Sequence, residues 1–206
     1  ACLVGSEMCI RDSMKKEFLL PDPEADKFSL SITERNGIIH YTILHSPQEK
    51  LPDNLYLIAH VRGFLLFVQP IQKGQGAVSL KSIPEGILTL TLLDGNYVPH
   101  SERLVFVRQN HSTWQLASDK ASYGSRSPIS LDIHLSDLSG QPIKGDFSLS
   151  VTDNYAIKCD STADNILSNL LLTSDIKGYI ETPGYYFKDN SQRLKACLDN
   201  LMMTQG

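Results

Sequence analysis

The chain has 206 residues, of which 41% are hydrophobic and 20% charged, with a formal net charge of −4. This length and balance suit one or two domains with packed interiors and exclude a disordered chain. No basic stripe is present to neutralise phosphates, which argues against nucleic-acid binding. No apolar run approaches the ~20 residues that a membrane-crossing helix needs.

In chain order, "LVGSEMCIRDS" (3–13) comes first and has neither periodicity nor turn chemistry. One permitted back-translation of it resembles the tail of a transposase sequencing adapter. Residues 1–13 are therefore set aside as adapter-derived and expected to be unstructured. The apolar start "ACLVG" lacks the basic beginning and apolar core of a signal peptide. Residues 14–27 form a lead-in, with the native reading expected to begin near Met14. With Cys2 and Cys9 set aside, Cys159 and Cys197 are too few for a disulfide framework. Both read most simply as small buried hydrophobes, with a single disulfide as the other reading.

Residues 28–109 read as about seven short strands, a first β-sandwich domain. "FSLSI" alternates strictly, with Phe28, Leu30 and Ile32 on one face, and "GIIHYTILH" repeats the period through Ile39, Tyr41 and Ile43. "LYLIAHVRG" and "FLLFVQPI" follow, joined near Gly63, and "GFLLFV" (63–68) suits a buried strand. Then come "AVSLKSI", "ILTLTLL" and "RLVFVRQ", with turns at "KGQG", "PEG" and "DGNYVPHSE" between them. No crossover helix fits in these intervals, so the sheets are expected to be antiparallel.

Residues 110–122 read as a polar linker within a turn-rich stretch that holds one buried-looking segment, Trp114 to Leu116. A second domain is expected over 123–206. Its clearest feature is a hairpin in which Leu131, Ile133 and Leu135 face Phe147, Leu149 and Val151 across the turn "SGQP". After Asp153 the period changes. Ile166, Leu167, Leu170 and Leu171 have helical spacing behind a cap at Ser161, and Leu194, Cys197, Leu198, Leu201 and Met202 repeat it. The expected fold class is all-β: two immunoglobulin-like antiparallel β-sandwiches in tandem, with a C-terminal helical segment in the second. The chain is expected to be cut short at Gly206.

The segment "YGSRSPISLDIHLSDLSGQPIKGDFSLSVTD" (123–153) resembles a macroglobulin-type β-sandwich of the alpha-2-macroglobulin superfamily, through Tyr123, Ile129 to Leu135, Gly140, Pro142 and the closing "SVTD". The wider run from "PEGILTLTLLD" to "LDNLMMTQG" resembles large cell-envelope proteins of Bacteroidetes-type bacteria, many of which carry TonB-dependent receptor parts. That resemblance implies a non-catalytic scaffold or interaction module in the periplasm or at the outer-membrane surface. Its partners would be other domains of the same long chain or other envelope proteins. It also allows two alternatives: an extension of a TonB-dependent transporter, or a macroglobulin of the endopeptidase-inhibitor type. The superfamily's thioester run of Cys, Gly, Glu and Gln is not matched by "ACLDN" at 196–200.

The residues offer no reactive constellation. His40 and His45 fall on opposite faces of one strand, and His60, His100, His111 and His134 lie in separate elements. No G-x-S-x-G elbow or phosphate-cradling glycine loop occurs. The acid pairs Asp132 with Asp137 and Glu34 with Glu49 suit solvated strand edges. Catalytic, cofactor and metal sites are expected to be absent, and no cofactor is expected. Arg126 and Asp153 stand at opposite ends of the expected hairpin as a candidate pair. The most distinctive surface candidate is aromatic: Tyr179, Tyr185, Tyr186 and Phe187 in "KGYIETPGYYF".

Overall fold

A computed structural model describes residues 27–46, 50–109, 112–153, 155–158 and 160–205. The adapter-like segment, Met14 and Cys159 lie outside the described residues. Those that are described form two compact units: 27–107 together with 160–205, and 108–158.

The first unit is built on strands β1 (Ser29–Arg35), β2 (Ile38–Leu44), β3 (Leu55–Val61), β4 (Phe64–Ile71), β5 (Gln75–Ser79), β6 (Gly86–Leu93) and β7 (Pro99–Val107). They make a three-stranded sheet in the order β1-β2-β5 and a four-stranded sheet in the order β4-β3-β6-β7. All the pairings are antiparallel. Two tight turns set the hairpin registers. Asn36 and Gly37 take φ of 53° and 75°, and Arg62 and Gly63 take 51° and 78°. Positive φ at both central residues is the hairpin geometry whose twist matches that of the flanking strands.

Alternation then decides what is buried. In β2, Ile39, Tyr41 and Ile43 are buried while the residues between them are exposed. They meet Leu55, Leu57, Ala59 and Val61 of β3 and Leu88, Leu90 and Leu92 of β6 in one core between the two sheets. The Leu30 amide donates to Ser101 Oγ at 3.1 Å, tying β1 to β7 across the layers. Gly76 lies opposite Tyr41 in the β2–β5 register, and a Cβ there would stand 2.3 Å from the Tyr41 hydroxyl. The buried ring thus occupies the space that a side chain at 76 would need, and burial raises the Tyr41 pKa.

Strand β6 is buried on both faces along its whole length. Its Leu face looks into the sandwich core, and its other face is covered by the C-terminal residues. There Ile87 packs with Leu172, Ile176, Ile180, Leu198 and Met202, and Leu104, Phe106, Tyr186, Phe187 and Leu201 lie against them. The covering layer consists of a helical turn Ile166–Ser168 that runs into a π-turn Asn169–Thr173, a 3-10 turn Pro183–Phe187 and the C-terminal helix Gln192–Gln205. Arg103 Nη2 donates to Asp199 Oδ1 at 2.7 Å, binding β7 to that helix. Arg62 Nε donates to Asp175 Oδ2 at 2.9 Å, and its guanidinium also bonds the Leu170 carbonyl.

The helical segment, expected within a module running from 123 to 206, groups with residues 27–107 in the first compact unit. The apolar outer face of β6 and β7 is what recruits it. The expected cap at Ser161 gives way to Asn165, whose side chain accepts from the Leu167 and Ser168 amides while Ser168 Oγ accepts from the Asn165 amide. This reciprocal arrangement satisfies more of the first-turn donors than a lone serine does.

In the second unit, β8 (Ser112–Ser118) pairs antiparallel with β9 (Leu131–Asp137). Two expectations change here. Residues 112–118, taken as part of a linker, form a strand, and the expected partner at 147–151 has no strand structure. The strand "STWQLAS" has its own period of two, which lets it compete for β9 despite its polar surroundings. Arg126 and Asp153 form no ion pair; the Asp153 carboxylate instead accepts the Tyr155 amide at 2.8 Å.

Candidate interaction surface

Three of the four aromatic candidates are drawn inward by the helical layer. The Pro183–Phe187 turn is fixed by the Gly184 amide donating to the Thr162 carbonyl at 3.0 Å. Phe187 then meets Phe106 of β7 edge-on, with ring centroids 5.7 Å apart. Tyr186 packs against the same apolar cluster, and Tyr185 meets Tyr186 edge-on at 5.7 Å. Tyr179, outside the turn, is 88% exposed. The structure thus separates one exposed tyrosine from three aromatics that anchor the covering layer.

The carboxylates with moved pKa values serve local structure. Asp94 is lowered chiefly by the Val98 amide, then by His100 and the Asn96 amide. Its Oδ1 accepts both amides, at 3.0 and 2.8 Å, and His100 Nε2 lies 3.1 Å from Oδ2. Asp119 is lowered first by the Tyr123 hydroxyl and then by the Ser130 amide, which closes the β8–β9 connection. Asp160 is lowered by the Thr162 hydroxyl and amide, and Asp164 by the Ser168 hydroxyl. Each acceptor holds a turn or helix start. Among the described residues no group of three or more His, Cys, Asp or Glu is placed to hold a metal ion. His60 Nδ1 is buried without a hydrogen-bond partner among them. No described helix is long and apolar enough to cross a membrane.

A larger surface feature lies on the second unit. In the β8–β9 register Trp114 stands opposite Leu135, and Leu116 opposite Ile133. These residues share a face, while Thr113, Gln115, Asp132, His134 and Ser136 occupy the other. Trp114 is 67% exposed, so the segment that looks buried in the sequence presents its apolar side outward. The signal for this surface was present as the alternation of Trp114 and Leu116 with polar neighbours, hidden by the linker-like composition on either side. No protein-family model matches the chain, and no curated protein sequence does so either.

Proposed function

We propose that this chain is a non-catalytic, macroglobulin-like scaffold and interaction module of a bacterial cell-envelope protein, with two immunoglobulin-like sandwich modules in tandem. The observation that carries the reading is the first unit's strand order, β1-β2-β5 facing β4-β3-β6-β7 around one apolar core. Seven antiparallel strands divided in this way between two facing sheets are what immunoglobulin-like sandwiches share. The carboxylates of perturbed pKa support a structural role, because each is engaged in holding a loop or a helix start.

For the second module, support comes from the edge of β9. The Ile143 amide donates to the Leu135 carbonyl at 3.1 Å, and Ser136 forms a bridge with Pro142. A third strand continued in that antiparallel register would set Phe147 opposite Leu131 and Leu149 opposite Ile129, on the apolar side. On this reading the two-stranded sheet of β8 and β9 is part of one layer of a second sandwich. The envelope setting is tested by fractionating a bacterium that carries the tagged gene. Recovery with the envelope is expected, and recovery in the cytosol overturns it.

A further inference from the structure

Asn36 and Gly37 form the two-residue loop between β1 and β2, with Arg35 facing Ile38 across it. Asn36 is exposed, and no other Asn-Gly pair occurs in the sequence. Two bonds hold the glycine. Its amide donates to Glu34 Oε1 at 2.7 Å, and its carbonyl accepts the Leu80 amide at 2.8 Å. A Cβ added at Gly37 would meet nothing within 4 Å, so that side of the glycine is open.

We propose that Asn36 is a site of spontaneous deamidation, and that Glu34 is the side chain that restrains it. In this reaction the Gly37 nitrogen gives its proton to a base in solution and attacks Asn36 Cγ. The new N–Cγ bond closes a cyclic imide, and the side-chain nitrogen leaves as ammonia. Water then opens the imide at either carbonyl, leaving aspartate or isoaspartate at 36. Glycine favours the attack because it has no Cβ to crowd the nitrogen. The imide nitrogen carries no hydrogen, so ring closure gives up the bond from Gly37 to Glu34. A hydrogen bond to a carboxylate is among the stronger ones. The folded turn is therefore the slow form, and its opening admits the reaction. The same ring closure is less open to Asp94 and Gly95, the one Asp-Gly pair. Asp94 Oδ1 accepts the Asn96 and Val98 amides, and a Cβ on Gly95 would stand 3.0 Å from Asn54 Cβ.

The two products differ in consequence. Aspartate tolerates the φ of 53° at position 36 as asparagine does. Isoaspartate routes the main chain through the side chain and adds a carbon atom to the short loop. Loop length fixes how Ile39, Tyr41 and Ile43 align with β1, so the extra atom strains a register that the core depends on. Nothing in this chemistry depends on the envelope setting.

The full chain is aged at mildly alkaline pH and digested, and the peptide containing Asn36 is followed by mass spectrometry. Conversion at 36 is expected in the native chain, and it should run roughly 3–10-fold faster in Glu34→Ala. Glu34→Gln, which keeps a neutral acceptor and so guards against loosening of the whole hairpin, should fall between the two. Asn36→Gly, which suits the turn, should abolish the signal. Aged chain enriched in isoaspartate should unfold at a lower urea midpoint than Asn36→Asp. No conversion at 36 in the native chain or in Glu34→Ala overturns the site. Equal rates with and without Glu34 overturn the restraint, and a slower rate in Glu34→Ala overturns it too, making Glu34 the base. Equal urea midpoints for the aged chain and Asn36→Asp overturn the effect on register.

Discussion

Gly76 and Tyr41 show how much a single position can carry. The Tyr41 ring fills the place of a side chain at 76, so Gly76→Ala must push a buried aromatic aside within a closed core. Overpacking of this kind is expected to cost about 1–3 kcal/mol, read as a lower urea midpoint with an unchanged slope. An unaltered midpoint would mean that the ring has room to move. The carboxylates give a second expectation at this scale. Asp94 has its pKa lowered by the Val98 amide, by His100 and by the Asn96 amide. A depressed folded pKa adds stability that is full above the ordinary carboxylate value of ~3.9 and lost as pH falls through the lower folded value. Asp94→Asn keeps an acceptor but loses the charge. Its stability deficit should therefore be present at neutral pH and shrink as the wild-type carboxylate protonates. A deficit constant with pH in denaturant titrations would exclude the electrostatic account.

Among the elements, the C-terminal helix is the one whose place depends on a surface far away in the sequence. Met202 is fully buried in the cluster with Ile87, Leu172, Ile176, Ile180 and Leu198. Met202→Ala should cost about 2–5 kcal/mol by leaving a cavity under the helix. A cost within error in urea unfolding would show that the layer does not seal the sheet. The pair from Arg103 to Asp199 is worth less, because the aspartate side chain is 53% exposed. Asp199→Ala should cost no more than about 1 kcal/mol. The same comparison explains β6. The Leu, Thr, Leu, Thr alternation predicts one wet face, yet Thr89 and Thr91 are 9% and 8% exposed. Thr91 Oγ1 donates to Glu102 Oε2 at 3.3 Å, which keeps the covered hydroxyl satisfied. Threonine suits a strand on either face, so its presence did not reveal that a helical layer lies above it.

For the molecule as a whole, both buried apolar clusters lie in the first unit, so a core mutation there should not act directly on the second. Leu90→Ala opens a cavity in the core of the first unit, and a loss of about 2–5 kcal/mol is expected there. Trp114 emission, which reports on the second unit alone, should keep its own transition. Coincident shifts of both probes would show one cooperative unit.

Local order was legible from residues alone. The period of two in β1, β2, β3 and β6, the turn near Gly63 and the apolar stripe of the C-terminal helix follow from side-chain geometry that repeats within a few residues. Antiparallel sheets and a largely β-stranded fold follow from those intervals. Of the aromatic candidates, composition identified the loop, but only packing against Phe106 separated Phe187 and Tyr186 from the exposed Tyr179. Partner choice was decided by tertiary structure: β9 pairs with β8 rather than with 147–151, and residues 160–205 cover the first sheet rather than the second unit. Alternation tells a strand which side to bury but not against what. That choice depends on which apolar faces remain uncovered once the chain has closed on itself, a property of distant residues that no local pattern records.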